Sequence, residues 1–267
     1  MKVQLIHPPL YLNVKAMTAL RPSLPLGLAY IAASLRKDGH DISVIDAVGE
    51  APDQVTPGKR SQLFALGLTI PEIVERLDPE AGLIGLTNMW SFSWPLVREL
   101  IHEIKKALPD TPIVGGGEHF SGLPEFSMQQ SPIDFVAVGE GEETALELAS
   151  ALASGANDYS GINSLWYRDA DGKPTSSGER RNRNKNIDDL PWPAWDLFKV
   201  HTYTEQGYVC GVNAGMTIPI LATRGCPYQC TYCANPGMWT NRWYSRDAKD
   251  VVAEIAYYKE TYGAVNF

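Results

Sequence analysis

The chain has 267 residues, of which 44% are hydrophobic and 20% are charged, and its formal net charge at pH 7 is −8. These values are ordinary for a globular protein and allow two modest domains. The sequence has no run of 18 or more apolar residues and so predicts no transmembrane helix, and its acidic balance disfavours bulk nucleic-acid binding. The N-terminus has no signal peptide pattern, so we expect a cytoplasmic protein.

Residues 1–155 alternate strand-like and helix-like patterns. Strands are predicted over residues 2–7, 41–47, 82–87, 112–115 and 134–138, and helices over residues 25–35, 70–77, 94–108 and 143–153. The strands are near-continuous apolar runs, which is typical of a sheet covered by helices on both faces. Five alternating units predict an α/β fold with a doubly wound, flavodoxin-like parallel sheet of strand order 2-1-3-4-5. Its ligand is expected beyond the carboxyl ends of the strands.

Polar residues and glycines follow four of these strands. They are Pro8 after the first strand; Thr87, Asn88 and Ser91 after the third; Gly115, Gly116, Gly117, Glu118 and His119 after the fourth; and Gly139, Glu140, Gly141 and Glu142 after the fifth. Each group alone is explained by turn chemistry. Four groups on one rim favour ligand contacts, because glycines let a large ligand approach the backbone closely.

The order and spacing of four segments resemble the cobalamin-binding domain that precedes many radical S-adenosylmethionine enzymes. The segments are residues 25–30, 44–46, 115–119 and 138–144. The resemblance implies that residues 1–155 bind cobalamin through the rim residues named above. The D-x-H-x-x-G motif is absent, since His7 is followed by two prolines, and the family commonly binds cobalamin without that histidine. For His7 and His119 we therefore expect polar or structural roles and not cobalt ligation.

Residues 156–215 are predicted to be a linker with a small hairpin, whose strands, residues 162–168 and 174–176, flank a turn. The basic run over residues 180–185 is interpreted as a solvated loop and not as a phosphate-binding patch. Residues 187–196 resemble the linker of the same family, and we expect their tryptophans to anchor the two domains together.

Residues 216–267 contain three cysteines in a C-x3-C-x2-C spacing, Cys226, Cys230 and Cys233, after a predicted strand over residues 218–223. Thiolates suit iron–sulfur clusters, zinc and copper(I). A 4Fe-4S cluster ordinarily takes four cysteines, so three on one loop leave an iron open. A structural zinc site usually needs a second ligand pair, which is missing, and Cys210 is isolated. We predict a 4Fe-4S cluster on the three cysteines, with zinc or free thiols as alternatives.

The same spacing, with aromatic Tyr232 before the last cysteine, resembles the radical S-adenosylmethionine superfamily. The resemblance implies that the open iron chelates S-adenosylmethionine, that an electron from the cluster produces a 5′-deoxyadenosyl radical, and that Tyr232 lies beside the adenine. It also implies a partial (β/α)6 barrel, of which residues 216–267 would supply the first unit and the next strand. A helix after Asp247, closed by Gly263, and a strand from residue 264 fit that unit. We therefore expect an N-terminal fragment of a longer enzyme.

The two resemblances together predict a cobalamin-dependent radical S-adenosylmethionine enzyme, most simply a methyltransferase acting on an unreactive carbon of a small-molecule or peptide substrate. An electron donor such as flavodoxin or ferredoxin is the expected partner. Two alternatives stay open, a radical cyclase of the tetrapyrrole type and a non-catalytic cobalamin-binding module. The sequence identifies neither the substrate nor catalytic residues.

Overall fold

The computed structural model describes residues 1–13, 22–58, 62–208, 212 and 214–267. Cys210 lies outside the described residues. The strands are β1 (Lys2–His7), β2 (Leu10–Asn13), β3 (Asp41–Asp46), β4 (Val55–Pro57), β5 (Leu63–Leu66), β6 (Leu83–Thr87), β7 (Ile113–Gly116), β8 (Phe135–Ala137), β9 (Leu165–Arg168), β10 (Pro174–Ser176), β11 (Thr223–Arg224) and β12 (Tyr244–Ser245). The helices are α1 (Leu26–Lys37), α2 (Ala47–Glu50), α3 (Ile70–Val74), α4 (Trp94–Ala107), α5 (Glu118–Gly122), α6 (Pro124–Gln130), α7 (Glu142–Ala153), α8 (Val200–Glu205), α9 (Asn235–Trp239) and α10 (Ala248–Tyr262).

The central sheet has seven strands in the order β10-β9-β8-β7-β6-β1-β3. Five neighbouring strands of this sheet, β3-β1-β6-β7-β8, are parallel. Numbered by their sequence, these five strands lie across the sheet in the order 2-1-3-4-5, so the predicted doubly wound topology is confirmed. The predicted hairpin forms as β9 and β10, and it adds antiparallel to the edge of the same sheet beside β8. All carboxyl ends of the parallel strands therefore lie at one edge, where a doubly wound sheet binds ligands.

Each face of the sheet buries its own apolar cluster. Val3 and Leu5 of β1 belong to one cluster with Leu148 of α7, whereas Ile6 belongs to the other with Leu100 of α4. Successive side chains of a strand point to opposite faces, so one apolar run supplies both clusters. This explains why the parallel strands are apolar almost without interruption.

The sequence did not predict the three-stranded antiparallel sheet β2-β5-β4 or the short helices α5 and α6. The helix expected over residues 70–77 is shorter, since α3 ends at Val74. The elements are short, and a three- to five-residue element carries too few repeats to show a helical or strand period. None of the helices in the described ranges is long and apolar enough to cross a membrane.

The expected strand over residues 218–223 is wrong for most of its length. Only Thr223 and Arg224 pair in a strand, with β12, and Thr217 makes an isolated parallel bridge to Asn266. Pro219 has no N–H to donate to a ladder, which disfavours regular pairing in that run. The partial barrel stays a prediction.

The helix expected after Asp247 is confirmed as α10. The Asp247 side chain accepts a hydrogen bond from the Lys249 N–H at 2.8 Å, and Gly263 ends the helix in the left-handed conformation at φ +67°.

The linker tryptophans make the expected anchors. Trp195 is fully buried in the cluster of α1 and α7, and the Trp192 indole N–H donates to Asp250 of α10 at 3.3 Å.

Candidate functional site

Two adjoining cavities lie at the carboxyl ends of the parallel strands. The first, here called the switch-point cavity, has a volume of about 320 Å³ and lies beside the ends of β1 and β6, where the sheet reverses its winding. The second, the glycine cavity, has about 170 Å³ and extends between α1, α7 and the ends of β6, β7 and β8. Gly27, Leu28, Thr87 and Met89 line both. The expected ligand edge is therefore concave and continuous.

Most of the predicted cofactor contacts line these cavities. Those in the cavity walls are Pro8, Thr87, Asn88, Gly115, Gly116, Gly117, Gly139, Glu140, Gly141 and Glu142. Those outside both walls are Ser91, Glu118, His119 and Tyr232. That any of them touches a cofactor stays a prediction.

The three glycines after β7 differ in what surrounds them. A Cβ on Gly115 would lie 2.7 Å from the Phe120 ring, and one on Gly117, at φ +103°, would lie 2.9 Å from the Asn88 carbonyl oxygen. A Cβ on Gly116 would meet no atom of the described residues within 4 Å. Gly115 and Gly117 are thus required by the fold itself. Gly116 leaves open space in the wall of the glycine cavity, where a ligand can approach the backbone.

Asn88 is the polar residue most directly poised for a ligand. It is 3% exposed and lines the switch-point cavity, and its backbone is fixed because its N–H donates to Gly116 and its carbonyl accepts from His119. Its side-chain Nδ2 has no hydrogen-bond partner in the part of the chain that the structure describes. An unpaired buried amide donor is costly, so an acceptor on a bound ligand would stabilise this side chain.

His119 makes its contacts with other side chains in the protein interior. Its Nδ1 lies 3.0 Å from the Ser91 hydroxyl, its Nε2 lies 3.4 Å from the Ser127 hydroxyl, and its ring stacks on Trp94 at 4.8 Å between centroids. Burial lowers its pKa, which favours the neutral ring. Both ring nitrogens already have partners, and this supports the expected structural role.

His7 belongs to a polar cluster beside the switch-point cavity. Its Nδ1 lies 2.8 Å from Asp46 Oδ1, and the Tyr203 hydroxyl donates to the same carboxylate oxygen at 2.8 Å. Burial, followed by the negative charge of Asp46, raises the pKa of Tyr203 well above its ordinary value. Tyr203 belongs to α8, so the linker contributes a side chain to the ligand edge.

The two glutamates after β8 pair with arginines from later in the chain. Glu142 Oε1 accepts from Arg224 Nη2 at 2.5 Å, and Glu140 Oε1 accepts from Arg183 Nη2 at 3.2 Å. All four side chains are 10% exposed or less. Their carboxylates therefore join the sheet to the linker and to the strand that leads into the cysteines.

The helix after the cysteines packs on the glycine rim. Met238 and Trp239 of α9 line the glycine cavity, and a Cβ on Gly139 would lie 3.3 Å from the Met238 carbonyl oxygen. The guanidinium of Arg224 lies over the Trp239 ring at 5.7 Å and over the Tyr30 ring at 5.3 Å. The segment with the cysteines thus supplies part of the wall that the glycines begin.

The three predicted metal ligands are free thiols on one loop. Cys226 is partly exposed, and Cys230 and Cys233 are exposed. The Cys233 N–H donates to the Cys230 carbonyl at 3.0 Å, and the Asn235 N–H donates to the Cys233 sulfur at 3.4 Å. Within the described ranges, no three histidine, cysteine or acidic side chains converge as a single-ion site. Ligands of a 4Fe-4S cluster bind different irons and need not converge on one point.

Gly225 fixes how this loop leaves the sheet. Its φ is +93°, a conformation that favours glycine, and a Cβ there would overlap the Arg242 carbonyl oxygen. The same Cβ would lie 2.8 Å from Arg183 Nη1. A side chain at position 225 would therefore displace the cysteine loop from the linker.

Sequence reasoning missed Arg183, Arg224, Tyr203 and the pair Met238–Trp239. Each lies far along the chain from the strands whose ends it meets. The run over residues 180–185 was interpreted as a solvated loop, yet the Arg183 side chain is only 7% exposed. Two features of the sequence could have indicated these contacts. One is the unusual concentration of arginines over residues 180–185 in an acidic chain, and the other is the pair of glutamates in the glycine motif over residues 139–142.

A family model described as the B12 binding domain matches residues 16–149, about half of the chain. The chain therefore belongs to the B12 binding domain family.

Curated relatives extend the similarity past that domain. The chain is 30% identical to an uncharacterized methyltransferase of Pyrococcus horikoshii over 98% of its length and 51% of the relative's. It is 28% identical to the cytidylyl-2-hydroxyethylphosphonate methyltransferase of Streptomyces wedmorensis over 92% of its length and 50% of the relative's. It is 30% identical to the anaerobic magnesium-protoporphyrin IX monomethyl ester cyclase of Synechocystis over 91% of its length and 44% of the relative's. The chain thus spans about half the length of these relatives.

Solved structures share the fold. The cobalamin-dependent S-adenosylmethionine radical enzyme OxsB, with aqua-cobalamin and S-adenosylmethionine bound, superimposes with a TM-score of 0.71 at 19% identity, over 96% of this chain and 31% of that one. The radical S-adenosylmethionine methyltransferase TsrM of Kitasatospora setae, with cobalamin and a [4Fe-4S] cluster bound, gives 0.63 at 22% identity, over 97% of this chain and 46% of that one. Both likenesses cover far more of the chain than the B12 binding domain match over residues 16–149.

Proposed function

We propose that this chain is the cofactor-binding part of a cobalamin-dependent radical S-adenosylmethionine methyltransferase that acts on an unreactive carbon. The substrate would be a small molecule or a peptide, and an electron donor such as flavodoxin or ferredoxin would reduce the cluster. The carrying observation is that Met238 and Trp239, just after the cysteines, line the same cavity as the rim glycines. A reaction that uses both cobalamin and the cluster requires the two groups to be held close together in one site.

The residues at the ligand edge fit cobalamin. The corrin is bulky and carries amide side chains, and the edge offers the open space at Gly116 and the unpartnered Asn88 Nδ2 as a donor to an amide oxygen. The glycine cavity, lined largely by aliphatic side chains and glycines, suits the flat aromatic base of the nucleotide tail. His7 Nδ1 and both nitrogens of His119 face protein partners, which supports binding without a histidine ligand from His119.

The cysteine loop fits a cluster with one open iron. Cys226, Cys230 and Cys233 are free, partly or fully exposed, and close in sequence, and the Asn235 N–H already donates to one sulfur, as it would to a thiolate ligand. Tyr232 is 90% exposed and is free to lie beside the adenine of S-adenosylmethionine.

The bound groups would supply a methyl donor and a reductively generated carbon radical. The chain's own residues hold these groups in a fixed geometry. Gly116 and Asn88 would contact the corrin, the Glu142–Arg224 ion pair joins that edge to the strand before the cysteines, and Trp239 in the cavity wall would help to exclude water. Small displacements of reacting groups are expensive, so the ion-paired connection is a positioning device.

Cofactor loading tests this proposal. Anaerobic reconstitution of the chain is expected to incorporate about four irons and one cobalamin, and S-adenosylmethionine is expected to shift the electron paramagnetic resonance spectrum of the reduced cluster. Cobalamin binding without any iron would support the non-catalytic module. Binding of neither group would contradict the proposal.

Radical ring formation is the second candidate, because the Synechocystis cyclase matches nearly the whole chain. The two candidates differ in the fate of the methyl group of S-adenosylmethionine. Cells with and without the full-length gene can be fed methyl-labelled methionine and their metabolites compared by mass spectrometry. A methyltransferase gives a gene-dependent product with one more labelled methyl group than its precursor, whereas a cyclase gives a product with no added labelled methyl group.

A further inference from the structure

Arg224 has more hydrogen-bonding capacity than the protein uses. Its side chain is 5% exposed, and its one hydrogen bond to a carboxylate runs from Nη2 to Glu142. Its Nη1 lies 3.7 Å from Glu140, too far for a hydrogen bond, and neither Nη1 nor Nε has a hydrogen-bond partner among the described residues. Unpaired buried donors on a charged group are costly, so the side chain is built to meet a further acceptor.

Further guanidinium groups lie near Arg224, since Arg183 and Arg224 both lie over the Trp239 ring. Arg224 lines the glycine cavity, and Arg180 Nη2 would lie 3.5 Å from a Cβ on Gly139 in the same wall. Arg183 and Arg224 face the two carboxylates of Glu140 and Glu142, whereas Arg180 donates to the Met238 carbonyl oxygen. Because both carboxylates are already ion-paired, an anionic acceptor at the cavity edge would meet the unpaired donors of Arg224.

We propose that Arg224 binds the phosphodiester of the cobalamin nucleotide tail, an inference that rests on the proposed cobalamin binding. The side chains around the corrin are neutral amides, and the phosphodiester is the anionic group that joins the tail to them. A guanidinium presents planar paired donors that match two phosphate oxygens. The aromatic base of the tail would occupy the aliphatic glycine cavity, with Arg224 at its margin.

This assignment makes cobalamin a link between the two parts of the chain. Arg224 lies in β11, two residues before Cys226 and well outside the B12 binding domain match over residues 16–149. Loading of cobalamin would then fix the strand that leads into the cysteine loop. The cobalamin domain alone would lack one of its own ligand contacts.

The test compares two corrinoids. Hydroxocobalamin carries the nucleotide tail, whereas cobinamide keeps the corrin and its amides and lacks the tail. Arg224→Met in the whole chain, free of iron, is expected to weaken hydroxocobalamin binding about tenfold or more, as for loss of a hydrogen bond to a charged group. Cobinamide affinity is expected to stay within about threefold, the ordinary context variation of such contacts.

Two further variants separate this contact from folding. Arg224→Met combined with Glu142→Gln removes the ion pair as a unit, so no buried carboxylate is left alone. It is expected to show the same selective loss of hydroxocobalamin affinity, with the apo-protein still melting cooperatively. Arg181→Met is the matched control, because Arg181 pairs with Glu143 and Glu147 on α7 and does not line the glycine cavity. Its affinity for both corrinoids is expected to equal that of the wild type.

The outcomes are distinct. A loss confined to hydroxocobalamin supports the inference. An equal loss with both corrinoids, or no loss with either, overturns it while cobalamin binding itself stands. A wild-type chain that binds neither corrinoid contradicts the proposed function.

Discussion

The sheet and the cysteine segment bring their functional residues into place by different means. Thr87, Gly116 and their neighbours sit at the ends of strands whose side chains are buried in two apolar clusters. The cysteines follow a strand of two residues, and their loop is largely exposed. Here buried charges hold the segment. Arg224 pairs with Glu142, and Arg246 pairs with Glu254, which is fully buried. The proposed ligand edge is therefore formed by the fold itself, whereas the cysteine segment is joined to it by a few ion pairs.

The largest effect is expected at the cysteines. Ala in place of Cys226, Cys230 or Cys233 should abolish iron incorporation during anaerobic reconstitution, because each thiolate binds a different iron. Cys210→Ala is the matched control and should load iron as the wild type does. Iron analysis and the visible absorption of the cluster check this. Loss of iron in Cys210→Ala alone would show that the ligand set is wrong.

The next largest effects distinguish the two ways of holding structure. Arg246→Met leaves Glu254 buried without its cation and should cost about 3–5 kcal/mol in the stability of the α10 region. Trp195→Ala opens the fully buried cluster beside α1 and should cost about 3–5 kcal/mol across the sheet. Hydrogen exchange is the measurement. Arg246→Met should speed exchange in α10 and spare β1, while Trp195→Ala should speed it in β1. Equal effects in both regions would contradict the comparison.

A smaller effect is expected at the open glycine. Gly116→Val adds a side chain where the structure leaves space, so it should weaken cobalamin binding at least about tenfold, or about 1.4 kcal/mol, with little change in melting temperature. Gly115→Val places its Cβ against Phe120 and should instead destabilise the fold by about 1–3 kcal/mol. Titration with hydroxocobalamin and thermal melting test the pair. Undiminished affinity in Gly116→Val would remove this glycine from the site.

The smallest effect concerns pH. Burial lowers the pKa of His119. Between the lowered pKa and the ordinary histidine pKa, the ring is therefore protonated in the unfolded chain and neutral in the folded chain. Stability from this group is therefore present above that pKa and lost as the pH falls through the lowered one. Melting temperatures at pH 7.5 and pH 5.5 should differ less in His119→Phe, which keeps a ring against Trp94, than in the wild type. An unchanged difference would mean that His119 is not buried neutral.

The sequence predicted the sheet better than the contacts between distant segments. The apolar runs that become β1, β6 and β7 show in the local sequence that they are buried, and the glycines after β7 and β8 mark the ligand edge. The contacts of Arg224 with Glu142 and of Tyr203 with Asp46 join segments that are far apart in the sequence. Local sequence patterns do not show which distant side chains will meet. The strand expected over residues 218–223 failed for a similar reason, since an apolar run forms a strand only where a partner strand accepts its pairing.

The central claim is that the corrin edge and the cysteine loop form one site. Both cob(II)alamin and a reduced 4Fe-4S cluster are paramagnetic, and magnetic relaxation of one by the other falls steeply with distance. In the chain loaded with both groups, the cob(II)alamin signal in electron paramagnetic resonance should saturate at higher microwave power than in Cys226→Ala, which carries cobalamin alone. Identical saturation in the two proteins would contradict the account, because it would place the cluster too far from cobalt for a shared site.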